Sequence, residues 1–178
     1  MSNVSLMNAI AVALAVCLSS AILLPAPARA DDAALAEAFA WIKRCDGSIT
    51  KPKYANLTLE QLPTLTELQI GGHRKSDKKH LFVPADEFKH LAALPNLTKL
   101  HLGENDGLTE EAMVHVGKLT NLKELILWDA PMPDAALQHI VGLKNLTSLD
   151  LAFATQITTS SIFVPGIVRF SKFGSCTM

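Results

Sequence analysis

The sequence predicts an α/β solenoid, in which stacked repeats form a parallel sheet on a concave face and helices on a convex face. A motif L-x-x-L-x-L occurs three times, beginning at Leu97, Leu122 and Leu146. The spacing of 25 and then 24 residues between these leucines is typical of a repeat architecture. Apolar residues three positions apart precede each motif and indicate an amphipathic helix. These helix positions are Phe88, Leu91 and Leu94; Met113, Val116 and Leu119; and Leu137, Ile140 and Leu143.

Residues 1–30 are typical of a secretory signal peptide. The stretch from Ala9 to Leu24 is mostly apolar, and Ala28-Arg29-Ala30 resembles a cleavage site between small residues. The apolar stretch is shorter than the about 20 residues that a membrane-spanning helix needs. We therefore expect export to the periplasm, the cell envelope or the extracellular space, with no membrane segment in the mature chain.

The expected mature chain, residues 31–178, has the length of one domain and an almost neutral charge. Removal of Arg29 leaves 15 basic residues against 17 acidic residues, a net charge of −2. This balance provides no general attraction to nucleic acid or to an anionic membrane. We expect a monomer that binds neither of them.

Two cysteines remain after cleavage, Cys45 and Cys176, and they flank the repeats. Four stacked strands separate the two ends of the solenoid by roughly 15–20 Å, since neighbouring strands lie about 4.8 Å apart. A disulfide requires Cα atoms within about 7 Å. We therefore expect two free, partly buried thiols, with intermolecular pairing through Cys176 as the alternative.

The segment 31–56 is predicted to cap the N-terminal end of the solenoid, because a terminal repeat would otherwise leave the core exposed. A helix is predicted over 32–44, ending before Cys45-Asp46-Gly47. The apolar side of this helix carries Leu35, Phe39, and Ile42 or Trp41.

The repeats cover residues 57–162, and their first strand motif runs from Leu65 to Ile70. Thr109 and Pro133 precede acidic residues, a pattern that is typical of the first turn of a helix. In the last repeat, Pro165 replaces the apolar residue of the helix and removes a helix hydrogen bond. The segment 163–178 is therefore either an improvised edge strand that caps the array or an irregular tail after a shortened reading frame.

One repeat, from Leu97 to Val116, reads L-x-x-L-x-L-x-x-N-x-x-L-T-E-x-x-M-x-x-V. It resembles the leucine-rich repeats of the ribonuclease-inhibitor-like and cysteine-containing group, and exported bacterial proteins with tandem copies look most similar. The resemblance implies a short leucine-rich-repeat solenoid that binds other proteins, and no catalytic residue accompanies the motif. The asparagine slot holds Asn105 but also His73, Ala130 and Ala154, so we expect an incomplete ladder of loop hydrogen bonds.

The concave face is predicted to carry the third, fifth and seventh residues of each strand motif, since side chains alternate along a strand. Stacking in register places Lys99 between Glu67 and Glu124. The candidate contact residues for a protein partner are Lys99, His101, Glu124, Ile126, Trp128 and Asp150. Trp128, flanked by small neighbours, either stands out as an aromatic anchor or lies flat over the backbone beside it.

A basic insertion follows the first strand and forms the second candidate site. It comprises His73, Arg74, Lys75, Lys78, Lys79 and His80. The insertion is either an ordinary solvated loop or a site for an anion, such as an acidic protein, a polysaccharide or phosphate. A metal site is not expected, because no third ligand accompanies the two histidines.

The sequence contains no recognisable catalytic motif, so we expect neither an enzyme nor a cofactor. The favoured interpretation is an exported protein-binding module that uses its concave face. The alternative is an anion- or glycan-binding protein that uses the loop 73–80. A third interpretation is a truncated relative without function.

Overall fold

The computed structural model describes residues 30–74, 76–77, 79–154 and 156–157, together with the backbone of 169–171. The predicted signal peptide up to residue 29, Pro165 and Cys176 lie outside this part of the chain, as do Lys75 and Lys78. Within the described residues, no helix is long and apolar enough to cross a membrane.

A single sheet of parallel strands follows the chain order, as the leucine motif predicts. Its strands are β1 (Glu67–Gln69), β2 (Lys99–His101), β3 (Glu124–Ile126), β4 (Ser148–Asp150) and β5 (Arg169–Ser171). Leu100 lies opposite Leu125, which in turn lies opposite Leu149, so equivalent leucines stack in register. Their side chains are fully buried and form the core behind the sheet. The α/β solenoid is therefore confirmed.

The strand β5 comes from the C-terminal tail and extends the sheet beyond β4. Its register places Arg169 opposite Ser148 and Phe170 opposite Leu149. This is the position that the edge-strand interpretation predicts for part of 163–178. Most of that tail lies outside the described residues, so its role as a cap stays a prediction.

The convex side consists of short helical segments at the predicted positions, but most of them are 3-10 helices. The segment Glu110–Val116 is an α-helix, whereas Leu59–Thr64, Ala85–Ala93 and Asp134–Ile140 are 3-10 helices. Residues three apart stack on one side of a 3-10 helix, which accounts for the regular three-residue spacing of the apolar positions. The α-helix also has a side-chain cap, since the backbone N–H of Ala112 donates to Thr109 Oγ1 at 3.4 Å.

The N-terminal helix α1 spans Ala30–Ser48 and is longer than predicted. The predicted end before Cys45-Asp46-Gly47 is wrong, because Ser48 Oγ donates to the carbonyl of Arg44 and continues the last turn. Trp41 of α1 packs edge to face against Phe88, with ring centroids 6.1 Å apart. Cys45 is a buried free thiol on the same helix.

Side-chain hydrogen bonds join successive repeats at both ends of the strands. Before the strands, Asn96 donates to the carbonyl of Pro63, Asn121 to that of Pro95 and Asn145 to that of Thr120. After the strands, the side-chain oxygen of buried Asn105 accepts from the backbone N–H groups of Val83 at 3.3 Å and Gly107 at 2.9 Å. Ala130 and Ala154 occupy the positions equivalent to Asn105 in the next two repeats and have no side-chain oxygen. The ladder of loop hydrogen bonds is therefore incomplete, as predicted.

The chain turns away from each strand through a residue with positive φ. These residues are Gly72 (131°), Glu104 (56°), Asp129 (52°) and Phe153 (61°). They occupy the same position in four successive repeats, and three of them are not glycine. The left-handed conformation is costly for residues with a Cβ, so the fold imposes it at these corners.

Candidate functional site

The concave face brings the six predicted contact residues together. Each of their side chains is half-buried, and the residue between them on each strand points into the core. The strand register places Lys99 beside Glu124 and His101 beside Ile126. Asp150 follows Ile126 in the next strand. The sequence therefore located this surface, whereas its role in binding stays a prediction.

The lysines on this face are already paired with carboxylates. Lys99 Nζ lies 3.2 Å from Glu124 Oε1, so the predicted attraction is present on that side. On the other side Glu67 does not pair with Lys99, because Lys53 Nζ lies 2.6 Å from Glu67 Oε1. The hydrogen bond from Lys53 lowers the pKa of Glu67. Sequence reasoning missed Lys53, which precedes the first strand and reaches the face through the folded cap segment.

Trp128 lies across the sheet and makes a direct contact with His101. Its indole Nε1–H donates to His101 Nε2 at 2.8 Å, and the two ring centroids are 6.3 Å apart. A Cβ at Gly103 would lie 2.6 Å from Cδ1 of the indole, so the ring covers the glycine backbone. This geometry agrees with the flat-lying alternative. The half-buried indole still presents part of its surface to a partner.

The hydrogen bond fixes the protonation state of His101. Nε2 accepts a hydrogen bond from the indole N–H, so it must keep its lone pair and the imidazole in this contact is neutral. Burial lowers the pKa of His101, and the positive charges of Lys53 and Lys99 lower it further. Asp150 and Glu67 act in the opposite direction. The net effect lowers the pKa of His101 and favours the neutral imidazole.

Asp150 has a structural contact at the end of its strand. Its Oδ1 accepts the backbone N–H of Ala152 at 3.0 Å, which closes the turn that leads to the corner at Phe153. The second carboxylate oxygen extends the polar side of the face. Ile126 lies between His101 and Asp150 in the same column and provides apolar surface.

The basic insertion folds into a hairpin in which Arg74 and the two histidines already face carboxylates. His73 and His80 form an antiparallel bridge, and their rings are perpendicular with centroids 5.3 Å apart. Their acidic neighbours are Glu104 at 3.3 Å from His73, and Asp106 at 3.1 Å and Asp129 at 3.5 Å from His80. Arg74 pairs with Asp77 inside the hairpin. Sequence reasoning missed these carboxylates, which compete with an external anion for Arg74 and the two histidines.

No three histidine, cysteine or acidic side chains among the described residues are arranged to hold a metal ion. The two ring nitrogens of His80 face different carboxylates, so one ion cannot use both contacts. A cavity of about 530 Å³ lies elsewhere, between α1 and the 3-10 helices Leu59–Thr64 and Ala85–Ala93. None of the six predicted contact residues lines this cavity.

The repeat region matches a known protein family, and two solved structures are similar to the chain. A family described as Zer-1-like leucine-rich repeats matches residues 88–164. No curated protein matches the chain.

Two solved structures from Listeria monocytogenes are similar: an internalin C2 and an internalin F. The first is 24% identical with a TM-score of 0.39, and the match covers 47% of this chain and 35% of that chain. The second is 20% identical with a TM-score of 0.38, and the match covers 62% of this chain and 36% of that chain. The chain thus spans about a third of the length of either internalin.

Proposed function

We propose that this chain, a leucine-rich-repeat protein, is a non-enzymatic module that binds another protein through its concave face. Proteins built from this repeat generally act in protein–protein interaction, which is the coarse function that the repeat implies. We further propose that the chain is exported, since residues 1–30 have the pattern of a signal peptide.

The proposal rests mainly on one observation: the concave face presents both charged and apolar side chains, and buried leucines hold them in fixed positions. Lys99, Glu124 and Asp150 provide charge, whereas Ile126 and Trp128 provide apolar contact area. Buried leucines between these side chains hold the strands in register, so little conformational freedom is lost when a partner binds. Aromatic residues in such a setting are common binding hot spots.

The paired charges on the face lead us to expect a partner that is not strongly charged. Lys53 and Lys99 each have a carboxylate within 3.2 Å, so neither cation needs an external anion. Exposed ion pairs of this kind contribute about 0–1 kcal/mol, and their rearrangement on binding is inexpensive. The complex should therefore depend weakly on ionic strength, in contrast to binding through a basic loop.

The test uses residues 31–178 as bait in an extract of the source cell's envelope. The face variant Trp128→Ala/Lys99→Ala is compared with the native bait and with a loop variant, Arg74→Ala/Lys79→Ala. A convex-side control, Lys118→Ala/Lys144→Ala, also removes two exposed lysines. Circular dichroism establishes that all four baits fold before any comparison is made.

A partner that is retained by the native, loop and convex baits but lost by the face variant supports the proposal. A partner that is lost by the loop variant and released by moderate salt supports the alternative anion- or glycan-binding function instead. Absence of any partner from a folded native bait would favour the third interpretation, a relative without function.

A further inference from the structure

We propose that His101 and Trp128 form a proton-sensitive gate in the concave face, closed when the imidazole is neutral and open when it is protonated. The closed gate is the partner-binding form, and acidification releases the partner. The part that concerns the partner rests on the proposed function, whereas the opening of the gate is a property of the chain alone.

The geometry of the hydrogen bond requires this coupling. The indole nitrogen can only donate, and a protonated imidazole donates through both of its nitrogens. Protonation of His101 would place two N–H groups against each other at the observed separation of 2.8 Å. The charged state must therefore break the contact, either by turning the imidazolium or by moving the indole.

The surrounding charges determine where the imidazolium turns. Lys53 from the cap segment and Lys99 from β2 repel it, while Glu67 from β1 and Asp150 from β4 attract it. Both lysines and Glu67 are engaged in ion pairs, with Glu67 bound to Lys53 and Lys99 bound to Glu124 of β3. Asp150 is thus the attractive carboxylate that has no lysine partner among the described residues. We expect the charged ring to rotate toward Asp150 and away from Trp128.

The released indole has one direction in which to move. The glycine backbone of Gly103 already touches the ring, since a Cβ there would lie 2.6 Å from Cδ1 and 2.8 Å from Nε1. The unpartnered N–H must find water, and water lies on the solvent side of the face. An indole that lifts from Gly103 changes the shape of the central surface on which the partner rests.

The downward shift of the pKa of His101 determines the pH range in which the gate opens. Burial is the largest cause that lowers it, followed by Lys53 and Lys99. The ordinary pKa of histidine is about 6.5, so the gate is closed at neutral pH and opens at a pH below that value. Acidic compartments or surfaces are the conditions that would release a partner.

The first test needs no partner and uses tryptophan fluorescence between pH 8 and pH 4. Trp41 must be removed, because its ring lies 5.7 Å from that of His90, whose own titration would disturb the signal. The variant Trp41→Phe should show an emission change with a midpoint below about 6.5. The change should be absent in Trp41→Phe/His101→Gln, since glutamine offers an acceptor for the indole but does not titrate.

An emission of Trp41→Phe that stays constant while circular dichroism shows a folded chain would overturn the gate. An unchanged transition in the His101→Gln background would overturn it as well. If Trp41→Phe does not fold, the indole N–H signals of the native protein in ¹⁵N NMR provide the same readout. The signal that His101→Gln makes insensitive to pH must then belong to the Trp128 indole.

The second test measures the affinity of the partner captured by the native bait. Below the pKa of His101, the affinity should fall by up to about tenfold per pH unit, the limit for a single linked proton. The His101→Gln variant should bind with nearly constant affinity over the same range. A partner that binds the native chain equally at pH 7.5 and pH 5 would overturn the release of the partner by acid and leave the proposed function intact. If the fluorescence transition occurs but no partner is captured, the gate stands and the proposed function fails.

Discussion

The hydroxyl oxygen of Tyr54 accepts the backbone N–H of Gln69 at 2.7 Å. Gln69 belongs to β1, the strand at the N-terminal end of the sheet. The backbone N–H of Tyr54 itself donates to the buried carboxylate of Asp46 at 2.9 Å, so α1 fixes the tyrosine in place. An unpaired strand edge is a template for aggregation. Tyr54 therefore links the cap segment to the N-terminal edge of the sheet.

Replacement of Tyr54 by phenylalanine should lower the free energy of unfolding by about 1 kcal/mol, because the variant keeps the ring but loses one hydrogen bond. Urea unfolding of residues 31–178 measures the change. The control is Thr64→Val, which also removes a hydroxyl hydrogen bond but on the exposed surface. Equal stability of Tyr54→Phe and the native chain would show that the edge contact contributes nothing.

The ionisation of the same residue should be visible in isolation, because Tyr54 is the only tyrosine in the chain. Burial raises its pKa from the ordinary value of 10 to about 12, and this is the largest of the causes. The absorbance of tyrosinate at 295 nm should therefore rise in the folded protein with a midpoint near pH 12. In urea the midpoint should return to about 10. A native midpoint near 10 would mean that the hydroxyl is open to solvent.

Cys45 should be chemically inert in the folded state. Its thiol is buried, and burial raises its pKa to about 12, so the reactive thiolate is scarce at pH 8. In a Cys176→Ser background of residues 31–178, iodoacetamide should label Cys45 slowly in buffer and rapidly in urea. Mass spectrometry of timed samples measures both rates. Fast labelling without urea would indicate that α1 opens readily from the 3-10 helices against which it packs.

The stacking of the strands could be predicted because each leucine motif specifies its own register. Leu100, Leu125 and Leu149 occupy the same place in three copies of one pattern, and the structure pairs them directly. The same reasoning located the concave face, since alternation along a strand decides which side chains point outward. Because the same pattern occurs in several repeats, each copy predicts the same strand geometry independently.

Contacts that depend on loop conformation could not be predicted in this way. The corners at Glu104, Asp129 and Phe153 have positive φ although no glycine signals it. The pairing of Lys53 with Glu67 needs a cap segment that has no counterpart in the repeats. The hydrogen bond between Trp128 and His101 joins residues on neighbouring strands. The strand register is compatible with this contact, but it forms only because both rings adopt suitable rotamers, which the sequence does not predict.

The stability of the domain should fall as the pH falls below about 6.5. Burial lowers the pKa values of His101, His90 and His115, so the folded chain binds fewer protons than the unfolded chain in this range. The stability that these histidines contribute is fully present above their pKa in the unfolded chain. It is lost as the pH falls through their pKa values in the folded chain. Urea midpoints between pH 7.5 and pH 5 measure the slope. The slope should be smaller in His101→Gln, and an unchanged slope would exclude His101 as a major contributor.

Phe153 offers a direct measurement of the strain at the corners. Its φ is 61° and its side chain is 57% exposed, so it adopts a left-handed conformation with little burial in return. That conformation costs roughly 1–2 kcal/mol for a residue with a Cβ and almost nothing for glycine. Glycine, however, raises the entropy of the unfolded chain, which opposes the gain by about 0.4–1 kcal/mol. Phe153→Gly should therefore raise the free energy of unfolding by about 0.5–1 kcal/mol.

The matched control for this prediction is Phe82→Gly. Phe82 is 59% exposed, almost the same as Phe153, but it is not among the described residues with positive φ. Both variants lose an exposed aromatic ring and gain the same unfolded-state entropy, so the difference between them isolates the backbone strain. That difference in unfolding free energy should be about 1–2 kcal/mol in favour of Phe153→Gly. Equal losses of stability in the two variants would show that the corner at Phe153 holds no strain that glycine can relieve.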